Sequence, residues 1–269
     1  MPIELRHKDG RVLHAEPNTS EVRVAVREAL ARGVDLSGVL LDGANLRRMD
    51  LSDARLADAS LVRADLSSCN IGDARLTGAD LTGARLDGAN LEDADFSRAK
   101  LPGASLRGSN LEHVSFVDAD LSGAVLDGSN LEEVDLRGAR LDRARFHGVN
   151  LERSCLDGVH AEGVELARAN LERSSLRKAN LARADLSGSE LARCDLGEAD
   201  LRGANLSRSS LLRAELRGAD LSRADLTGAH LGKCDLDGAV LDDAQMEGAD
   251  LSGARGTPLK RATPQGPYR

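Results

Sequence analysis

The sequence has almost no aromatic residues. Its 269 residues include 3 Phe, 1 Tyr and no Trp. Because compact domains of this size normally bury aromatic rings, the core of this protein must consist mainly of Leu, Val and Ala. No apolar run approaches the roughly 18 residues that a membrane-spanning helix needs, and residues 1–10 lack the apolar segment of a signal peptide. These absences predict a cytoplasmic protein without a membrane partner.

The sequence has instead a large apolar residue at every fifth position. From Leu36 to Leu251 there are 44 consecutive such positions without a break in register, and 38 of them are Leu. We denote this central residue i. A small residue lies at i−2, which is Ala in 27 repeats, and Asp or Asn lies at i−1 in 23 repeats. Positions i+1 and i+2 are mostly polar, charged or Gly.

A period of five residues fits neither a helix nor a straight strand. An α-helix turns about 100° per residue, so Leu at every fifth position would wind around it and leave no apolar face. In a straight strand, an odd spacing places successive Leu residues on opposite faces. The remaining solution is a chain that turns a corner once per repeat, so that i and i−2 both point towards a common axis. This pattern predicts a solenoid.

A second, independent period gives the number of repeats in one coil. Asn-Leu-Glu occurs five times and recurs at every twentieth position, at 90–92, 110–112, 130–132, 150–152 and 170–172. Four repeats per coil divide the 44 repeats into 11 coils with a square cross-section. If coils stack at the strand spacing of about 4.8 Å, the rod is roughly 50 Å long.

All three Phe residues occupy central positions. Phe96 and Phe116 are separated by the same twenty positions as the Asn-Leu-Glu motifs, so we expect their rings to stack in neighbouring coils. Ala161 is the smallest central residue and leaves a gap in its layer. Phe146, one coil earlier on the adjacent face, is expected to fill that gap, since interiors are close-packed.

The repeat is similar to that of the pentapeptide repeat family. Segments such as Ala79-Asp80-Leu81-Thr82-Gly83 and Ala89-Asn90-Leu91-Glu92-Asp93 follow the family pattern, which covers about 220 of the 269 residues. The resemblance implies an all-β fold, a right-handed quadrilateral β-helix with residues i and i−2 inside. We expect residues 34–255 to form this solenoid, residues 1–33 to form an N-terminal β-hairpin and capping α-helix, and residues 256–269 to form a C-terminal tail.

Residues 1–33 carry signals for a cap over the open end of the solenoid. Such an end exposes apolar side chains and unpaired backbone groups. Ile3–His7 and Arg11–Ala15 flank Asp9-Gly10, a hairpin turn signal. Asn18 and Glu21 resemble a capping box, and Gly33 can end the helix. Apolar residues with helical spacing lie between them: Val22, Ala25, Val26, Ala29 and Leu30.

The C-terminal end has no comparable signals. Residues 256–269 contain three Pro, three basic residues and no obvious element, which is typical of a tail. Two arrangements remain open for the last coil. It forms a homodimer end to end, as the resemblance to topoisomerase-directed members of the family implies, or Leu259 and the tail fold back over it.

No residue pattern indicates catalysis or a cofactor. Cys69, Cys194 and Cys234 lie at i−2 and Cys155 at i−1, and none has another within disulfide reach. The outward His residues are scattered over different coils, which predicts no metal site: His113, His147, His160 and His230. There is no phosphate-binding loop or nucleophile elbow. These absences predict a protein that is not an enzyme.

Charge is concentrated on one of the four faces. The coils carry a net charge of −13, of which −7 lies on the fourth face, counted from Met49. Its first five repeats contain eight acidic residues and no Lys or Arg: Asp50, Asp53, Asp73, Glu92, Asp93, Glu112, Glu132 and Glu133. Its later repeats carry a basic column at i+2: Arg153, Arg173, Arg193, Arg213 and Lys233. A Glu column at i+1, from Glu92 to Glu172, stacks like charges about 4.8 Å apart, which costs stability.

Two interpretations of the acidic face remain open. It presents regularly spaced negative charge to a partner that normally binds nucleic acid, or it is a solvated surface that keeps a stackable rod soluble. The sequence resembles family members that protect DNA gyrase and topoisomerase IV from quinolones, albicidin and related poisons by imitating B-form DNA. It lacks the loops that interrupt the plasmid quinolone-resistance members, and it is more similar to the uninterrupted mycobacterial rods.

We therefore expect a non-catalytic, DNA-like rod that binds DNA gyrase or topoisomerase IV through the eight acidic residues and protects it from an inhibitor. An alternative is a general protein-interaction scaffold that uses Arg177, Lys178 and Arg183 on the later coils. Direct nucleic acid binding by the basic column is disfavoured by the charge of −13 on the coils.

Overall fold

The computed structural model describes residues 3–17 and 19–256. Strands β1 (Ile3–Arg6) and β2 (Val12–Glu16) come first, followed by helix α1 (Val22–Ala31) and the coils of the repeat. The predicted capping residue Asn18 and residues 257–269 of the predicted tail lie outside the described residues. The ten-residue α1 is too short to span a bilayer, and no other helix in the described ranges is long and apolar enough.

Each coil pairs with the next through residues whose numbers differ by twenty. Forty parallel bridges of this spacing run from Leu40↔Ser60 to Asp235↔Arg255. Three backbone hydrogen bonds per repeat accompany them. Around Leu91, for example, the N–H of Leu91 donates to Asn110 at 2.8 Å, that of Asp93 donates to Glu112 at 3.1 Å, and that of Asn110 donates to Ala89 at 3.0 Å. The spacing of the Asn-Leu-Glu motifs is therefore the pairing period of the solenoid.

The chain turns a corner at positions i+1 and i+2 of every repeat. The N–H that follows the corner donates back to the carbonyl of residue i, as Ala94 does to Leu91 at 3.0 Å. Position i+2 has a positive φ, between 56° and 71°, in all 44 repeats, and a residue other than Gly occupies it in 24 of them. A positive φ at this place is the mark of a type II turn. The frequent Gly at i+2 therefore follows from the corner.

The Asp or Asn at i−1 stabilises the same corner. In 22 of the 23 repeats that carry one, its side-chain oxygen accepts the N–H of residue i+1 at 2.9–3.4 Å. This Asx-type hydrogen bond satisfies a backbone donor that the bridges leave unpaired. The preference for Asp and Asn at i−1 thus has a local cause.

The core is a single column of side chains inside the coils. Every central residue from Leu36 to Leu236 is at most 4% exposed. The predicted stacking of Phe96 and Phe116 is confirmed, because their ring centroids are 5.4 Å apart with an angle of 36° between the planes. Phe146 and Ala161 are both buried, and the filling of the gap at Ala161 by Phe146 stays a prediction.

The N-terminal hairpin pairs directly with the first coil. Its strands are antiparallel, with Leu5 opposite His14 and an irregularity between Leu5 and Arg6. The strand ends differ by one residue from the sequence prediction, because Glu16 pairs with Ile3 at one end of the hairpin, while His7 at the other end forms an antiparallel bridge with Val39. The N–H of Lys8 donates to Gly38 and that of Leu40 to Arg6, each at 2.9 Å. The hairpin therefore caps unpaired backbone groups of the first coil.

Helix α1 covers the apolar interior at the same end. Ala25, Val26 and Ala29 are buried in the cluster that continues into the coils. The helix begins after Glu21, which occupies the cap position and makes no side-chain capping hydrogen bond, whereas the predicted capping box placed Glu21 three residues after the cap. Instead, the hydroxyl of Thr19 accepts the N–H of Glu21 at 3.0 Å. Gly33, with φ of +67°, follows the helix as predicted.

The four Cys residues are free. The thiols of Cys69, Cys194 and Cys234 are buried and donate to backbone carbonyls of the preceding coil. Burial raises the pKa of Cys194 to about 12 and that of Cys234 to about 11. Cys155, at i−1, is half-buried. The thiolate is the nucleophile, so a raised pKa together with burial removes reactivity.

We expect the native protein to expose one reactive thiol of its four. A chromogenic disulfide reagent at about pH 8 should modify Cys155 slowly, because burial also raises the pKa of this thiol. All four thiols should react once guanidinium unfolds the chain. Cys155→Ser should abolish the native reaction, and rapid modification of two or more thiols in the folded protein would contradict the buried positions at i−2.

Candidate partner-binding surface

The eight acidic residues of the fourth face lie along consecutive coils. Parallel bridges join Asp50 to Asn70, and then join residues 70, 90, 110 and 130 in turn. The hydrogen bond from Asp93 to Glu112 places Glu112 one coil beyond Glu92. The side chains of Glu112 and Glu132 are 35% and 29% exposed, and the other six residues are exposed. The structure thus places all eight predicted residues on one face.

A ladder of Asn side chains runs beside these acids at position i−1. Each side-chain amide donates to the amide oxygen of the Asn one coil earlier, at 3.0–3.3 Å. Asn70 donates to Asp50 at 3.0 Å. This ladder was not identified from the sequence, although the recurrence of Asn at every twentieth position indicates it. Its members are Asn70, Asn90, Asn110, Asn130, Asn150 and Asn170.

The ladder also supports the Glu column at i+1. The Nδ2 atom of Asn110 lies 3.4 Å from the carboxylate of Glu92. Asn130 and Asn150 make the equivalent contacts with Glu112 and Glu132, each at 3.5 Å. An amide N–H that points at a carboxylate oxygen interacts favourably with its negative charge. These donors offset part of the repulsion expected from stacked Glu residues.

Removal of one ladder residue should destabilise the rod. Asn130→Ala removes the hydrogen bonds to Asn110 and from Asn150, together with the one from the N–H of Glu132. Since a net hydrogen bond contributes about 0.5–1.5 kcal/mol, we expect a loss of about 2 kcal/mol in the free energy of unfolding in urea. Asn180→Ala is the matched control, because within residues 3–17 and 19–256 the side chain of Asn180 makes only the corner hydrogen bond. Equal losses for the two variants would show that the ladder adds nothing.

We call the eight acidic residues of the fourth face the acidic set. Asp50 is the first of them along the chain, and its hydrogen bonds favour the charged form. Its Oδ1 atom accepts the N–H of Ser52 at 3.1 Å, the hydroxyl of Ser52 at 2.8 Å and the amide of Asn70 at 3.0 Å. The hydrogen bonds from Ser52 hold the pKa of Asp50 below its usual range. The negative charge at this end of the face therefore persists to lower pH than that of a free Asp.

The opposite end of the acidic set is partly neutralised by the basic column. Arg153 lies 3.1 Å from the carboxylate of Glu132 and 3.6 Å from that of Glu133. One coil later, Arg173 lies 3.4 Å from Glu152 and 3.6 Å from Glu172. The unneutralised negative charge is therefore concentrated in the first coils, nearest the N-terminal cap.

One His residue lies within the acidic set. The Nδ1 atom of His113 is 3.5 Å from Asp93, and its Nε2 atom is 3.4 Å from Glu133. Ligand atoms of Glu92, Asp93 and His113 all lie within 4.8 Å of one another, and the three side chains are exposed. Mixed carboxylate and imidazole ligands suit a divalent transition metal. The prediction from the sequence considered only the spacing between His residues, and it did not identify these acidic neighbours, although positions 93, 113 and 133 are equivalent in successive coils.

The basic residues named for the alternative function are largely paired within the chain. Arg177 lies 2.9 Å from Asp195, and Lys178 lies 3.7 Å from Glu198. Arg183 lies 3.2 Å from Glu162. These ion pairs leave less free positive charge on the later coils than the sequence suggests.

Solved structures of similar proteins include HetL, a pentapeptide repeat protein involved in heterocyst differentiation regulation from the cyanobacterium Nostoc sp. strain PCC 7120. HetL is 31% identical, with 88% of this chain and 92% of HetL covered and a TM-score of 0.42. QnrB1, a plasmid-mediated fluoroquinolone resistance protein, is 21% identical, with 68% of this chain and 91% of QnrB1 covered and a TM-score of 0.30. A pentapeptide repeat protein from the Arabidopsis thaliana thylakoid lumen is 34% identical over 37% of this chain and 62% of its own, with a TM-score of 0.16.

No curated protein matches the chain. The family model for pentapeptide repeats matches in eight copies that extend through the coils, at residues 32–67, 74–112, 115–153, 154–191, 189–228 and 219–255. Proteins of this family are generally structural or interaction proteins and fold as right-handed quadrilateral β-helices. The unbroken five-residue period, the parallel bridge that each repeat forms with the repeat twenty positions later and this match together show that the chain belongs to the pentapeptide repeat family.

Proposed function

We propose that this protein is a non-catalytic rod that imitates DNA, binds a type II topoisomerase and protects it from an inhibitor. The enzyme is DNA gyrase or topoisomerase IV, and the contact is the acidic set from Asp50 to Glu133. In this proposal the rod is a right-handed β-helix of about 11 coils that works in the cytoplasm, where its partner works.

The observation that carries the proposal is the density of negative charge along the fourth face. Eight acids lie on its first five coils. At about 4.8 Å per coil, these coils extend over about 24 Å, which gives roughly one negative charge per 3 Å. One strand of B-DNA carries one phosphate per roughly 3.4 Å of helix axis. A groove that binds a DNA backbone therefore meets a similar linear charge density on this face.

The alternative is a general protein-interaction scaffold that uses the later coils. It requires free charge or apolar area at Arg177, Lys178 and Arg183, whose charges are compensated by neighbouring carboxylates. The acidic set is less compensated, since Asp53 and Asp73 have no ion pair with the described residues. The charge distribution therefore favours the acidic face as the contact surface.

We also propose that the C-terminal end of the rod contacts the same end of a second copy. Leu251 is 39% exposed there, and Leu241 and Met246 are only partly buried, whereas Leu236 is 3% exposed. An end-to-end dimer would bury this apolar surface and double the length of the rod. The alternative cover, residues 257–269, lies outside the described residues.

A supercoiling assay with purified gyrase tests the proposed function. Gyrase should be assayed with and without a quinolone, and with and without this protein. We expect the protein to restore supercoiling in the presence of the quinolone. No effect under any of these conditions, together with pull-down partners unrelated to DNA, would favour the scaffold instead.

A further inference from the structure

The i+2 position of the fourth face forms a column whose charge reverses at its midpoint. We name these residues the i+2 column. They lie one per coil at the outward corner, in coils that pair with each other through the parallel bridges. The first half is acidic apart from one His, and the second half is entirely basic. In order they are Asp53, Asp73, Asp93, His113, Glu133, Arg153, Arg173, Arg193, Arg213 and Lys233.

The charges at the two ends of this column have no partner in the described part of the chain. The ion pairs of the column lie at its centre, where His113 contacts Asp93 and Glu133, and where Arg153 contacts Glu133. Asp53 and Asp73 at one end form no ion pair within residues 3–17 and 19–256. The same holds for three exposed cations at the other end: Arg193, Arg213 and Lys233.

We infer that this column is a self-complementary surface on which a second copy of the chain binds side by side and antiparallel. A two-fold axis between Glu133 and Arg153 brings together residues whose numbers add up to 286. Asp53 then faces Lys233, Asp73 faces Arg213, and Asp93 faces Arg193. Each pair occurs twice, because a two-fold interface uses the same surface on both copies. Opposite charges across an interface fix its register and suppress other pairings.

The charges select this register over its neighbours. A shift of one coil in either direction places Glu133 opposite Glu133 or Arg153 opposite Arg153 on the axis. The shift that pairs Glu133 with Glu133 also leaves Lys233 without an acidic residue opposite it. The shift that pairs Arg153 with Arg153 places Asp53 opposite the uncharged Gly253. Like charges that face each other destabilise an interface, so one register is favoured.

The neighbouring i+1 column supplies a steric match in the same register. Leu212 is one of four exposed large apolar residues in the described chain, with 45% of its surface exposed. The two-fold axis places it opposite Gly72, which is buried beside the side chains of Asn70 and Asn90, so no side chain of residue 72 itself projects towards Leu212. Two copies of this contact would shield both Leu212 side chains from water.

The centre of the i+1 column opposes the association. Glu112 faces Glu172 there, and Glu132 faces Glu152. These carboxylates already bind groups of their own chain: Arg153 and Arg173 contact Glu132, Glu152 and Glu172, and Asn130 contacts Glu112. The attraction therefore comes from the two ends of the interface, and the association is weak and sensitive to salt.

This dimer differs from an end-to-end dimer in geometry and in chemistry. It uses charged corners along the rod and not the apolar last coil, so salt weakens it. It also covers Asp53, Asp73 and Asp93, so that a second copy and any other partner of the acidic half compete for the same surface. The inference does not depend on the identity of that partner.

A charge-swap experiment tests the inference. The acidic end is reversed in the variant Asp53→Lys/Asp73→Lys/Asp93→Lys, and the basic end in Arg193→Glu/Arg213→Glu/Lys233→Glu. All proteins also carry Leu251→Glu, which places a charge on the open end and blocks end-to-end association. Self-association is measured by sedimentation velocity in a buffer of about 50 mM salt and again at about 500 mM, where screening is stronger.

We expect the protein with Leu251→Glu alone to dimerise at low salt and to be monomeric at high salt. Each charge-reversed variant alone should self-associate at least about 10-fold more weakly, since like charges then face each other. An equimolar mixture of the two should recover dimerisation, because the reversed ends are again complementary. Circular dichroism checks that every variant is folded. If the protein with Leu251→Glu alone is monomeric at low salt, the inference is overturned. It is also overturned if the equimolar mixture of the two charge-reversed variants does not dimerise.

Discussion

Replacement of Glu92, Glu112 and Glu132 by Lys is expected to abolish binding of DNA gyrase while the rod stays folded. The three changes shift the net charge of the fourth face from −7 to −1 and place cations in the middle of the acidic set. If each reversed charge costs about 1 kcal/mol or more at a complementary interface, the affinity falls at least about 100-fold. Binding of purified gyrase to the immobilised rod measures the effect.

The control for this experiment reverses the same number of charges on another face. Asp58, Asp118 and Glu198 are exposed residues at i+2 of the first face, and their replacement by Lys changes the total charge equally. The control variant should keep its affinity for gyrase within a few-fold. An equal loss in both variants would mean that only the net charge matters, and unchanged binding in the first variant would remove the Glu column from the mechanism.

The fold should survive reversal of the Glu column. Glu132 loses its ion pair with Arg153, but exposed pairs of this kind contribute only about 0–1 kcal/mol. The amide contacts of the ladder with these carboxylates are long, at 3.4–3.5 Å, and therefore weak. Neither loss approaches the stability contributed by the buried column of Leu residues.

Phe116→Ala is expected to destabilise the rod more than Asn130→Ala or any single change at its surface. The Phe116 ring is fully buried and packs against Phe96 at a centroid distance of 5.4 Å. Its removal leaves a cavity in the middle of a narrow solenoid, where no second core can compensate. Phe→Ala changes in cores cost about 3–5 kcal/mol, and we expect a value in this range from urea unfolding followed by circular dichroism.

Met246→Ala is the matched control at the end of the rod. Met246 is also a central residue, but it lies in the last described coil and is only partly buried. Each repeat of a solenoid contacts mainly its neighbours, so truncation at an open end affects fewer contacts, and we expect a loss below about 1 kcal/mol. A similar loss for both variants would indicate that the last coil is covered as completely as the centre.

The period of the coils follows directly from the sequence. Leu at every fifth position leaves no apolar face on a helix or a straight strand, and Asn-Leu-Glu at every twentieth position measures the coil. Both are one-dimensional properties that survive folding unchanged, because each repeat contacts only its neighbours. The stacking of Phe96 on Phe116 and the location of the eight acidic residues on one face follow from the same arithmetic.

The structure alone shows how that face is held and compensated. Asn130 bonds to its neighbours in the ladder, His113 bridges two acids, and Arg153 binds the acids of the previous coil. Such contacts join side chains of adjacent coils and depend on side-chain conformation, which repeat spacing does not specify. The hairpin is a similar case, since its bridge from His7 to Val39 lies outside the repeat.

The sequence by itself therefore determined the solenoid, its period and the face on which negative charge accumulates. Burial of every fifth residue sets the period, and that period brings residues twenty positions apart, including the acidic ones, onto the same face. Only the tertiary structure decided which charges are neutralised and which remain free. That outcome depends on distances of a few ångströms between side chains of adjacent coils, and the reach of each Arg, His and Asn sets those distances.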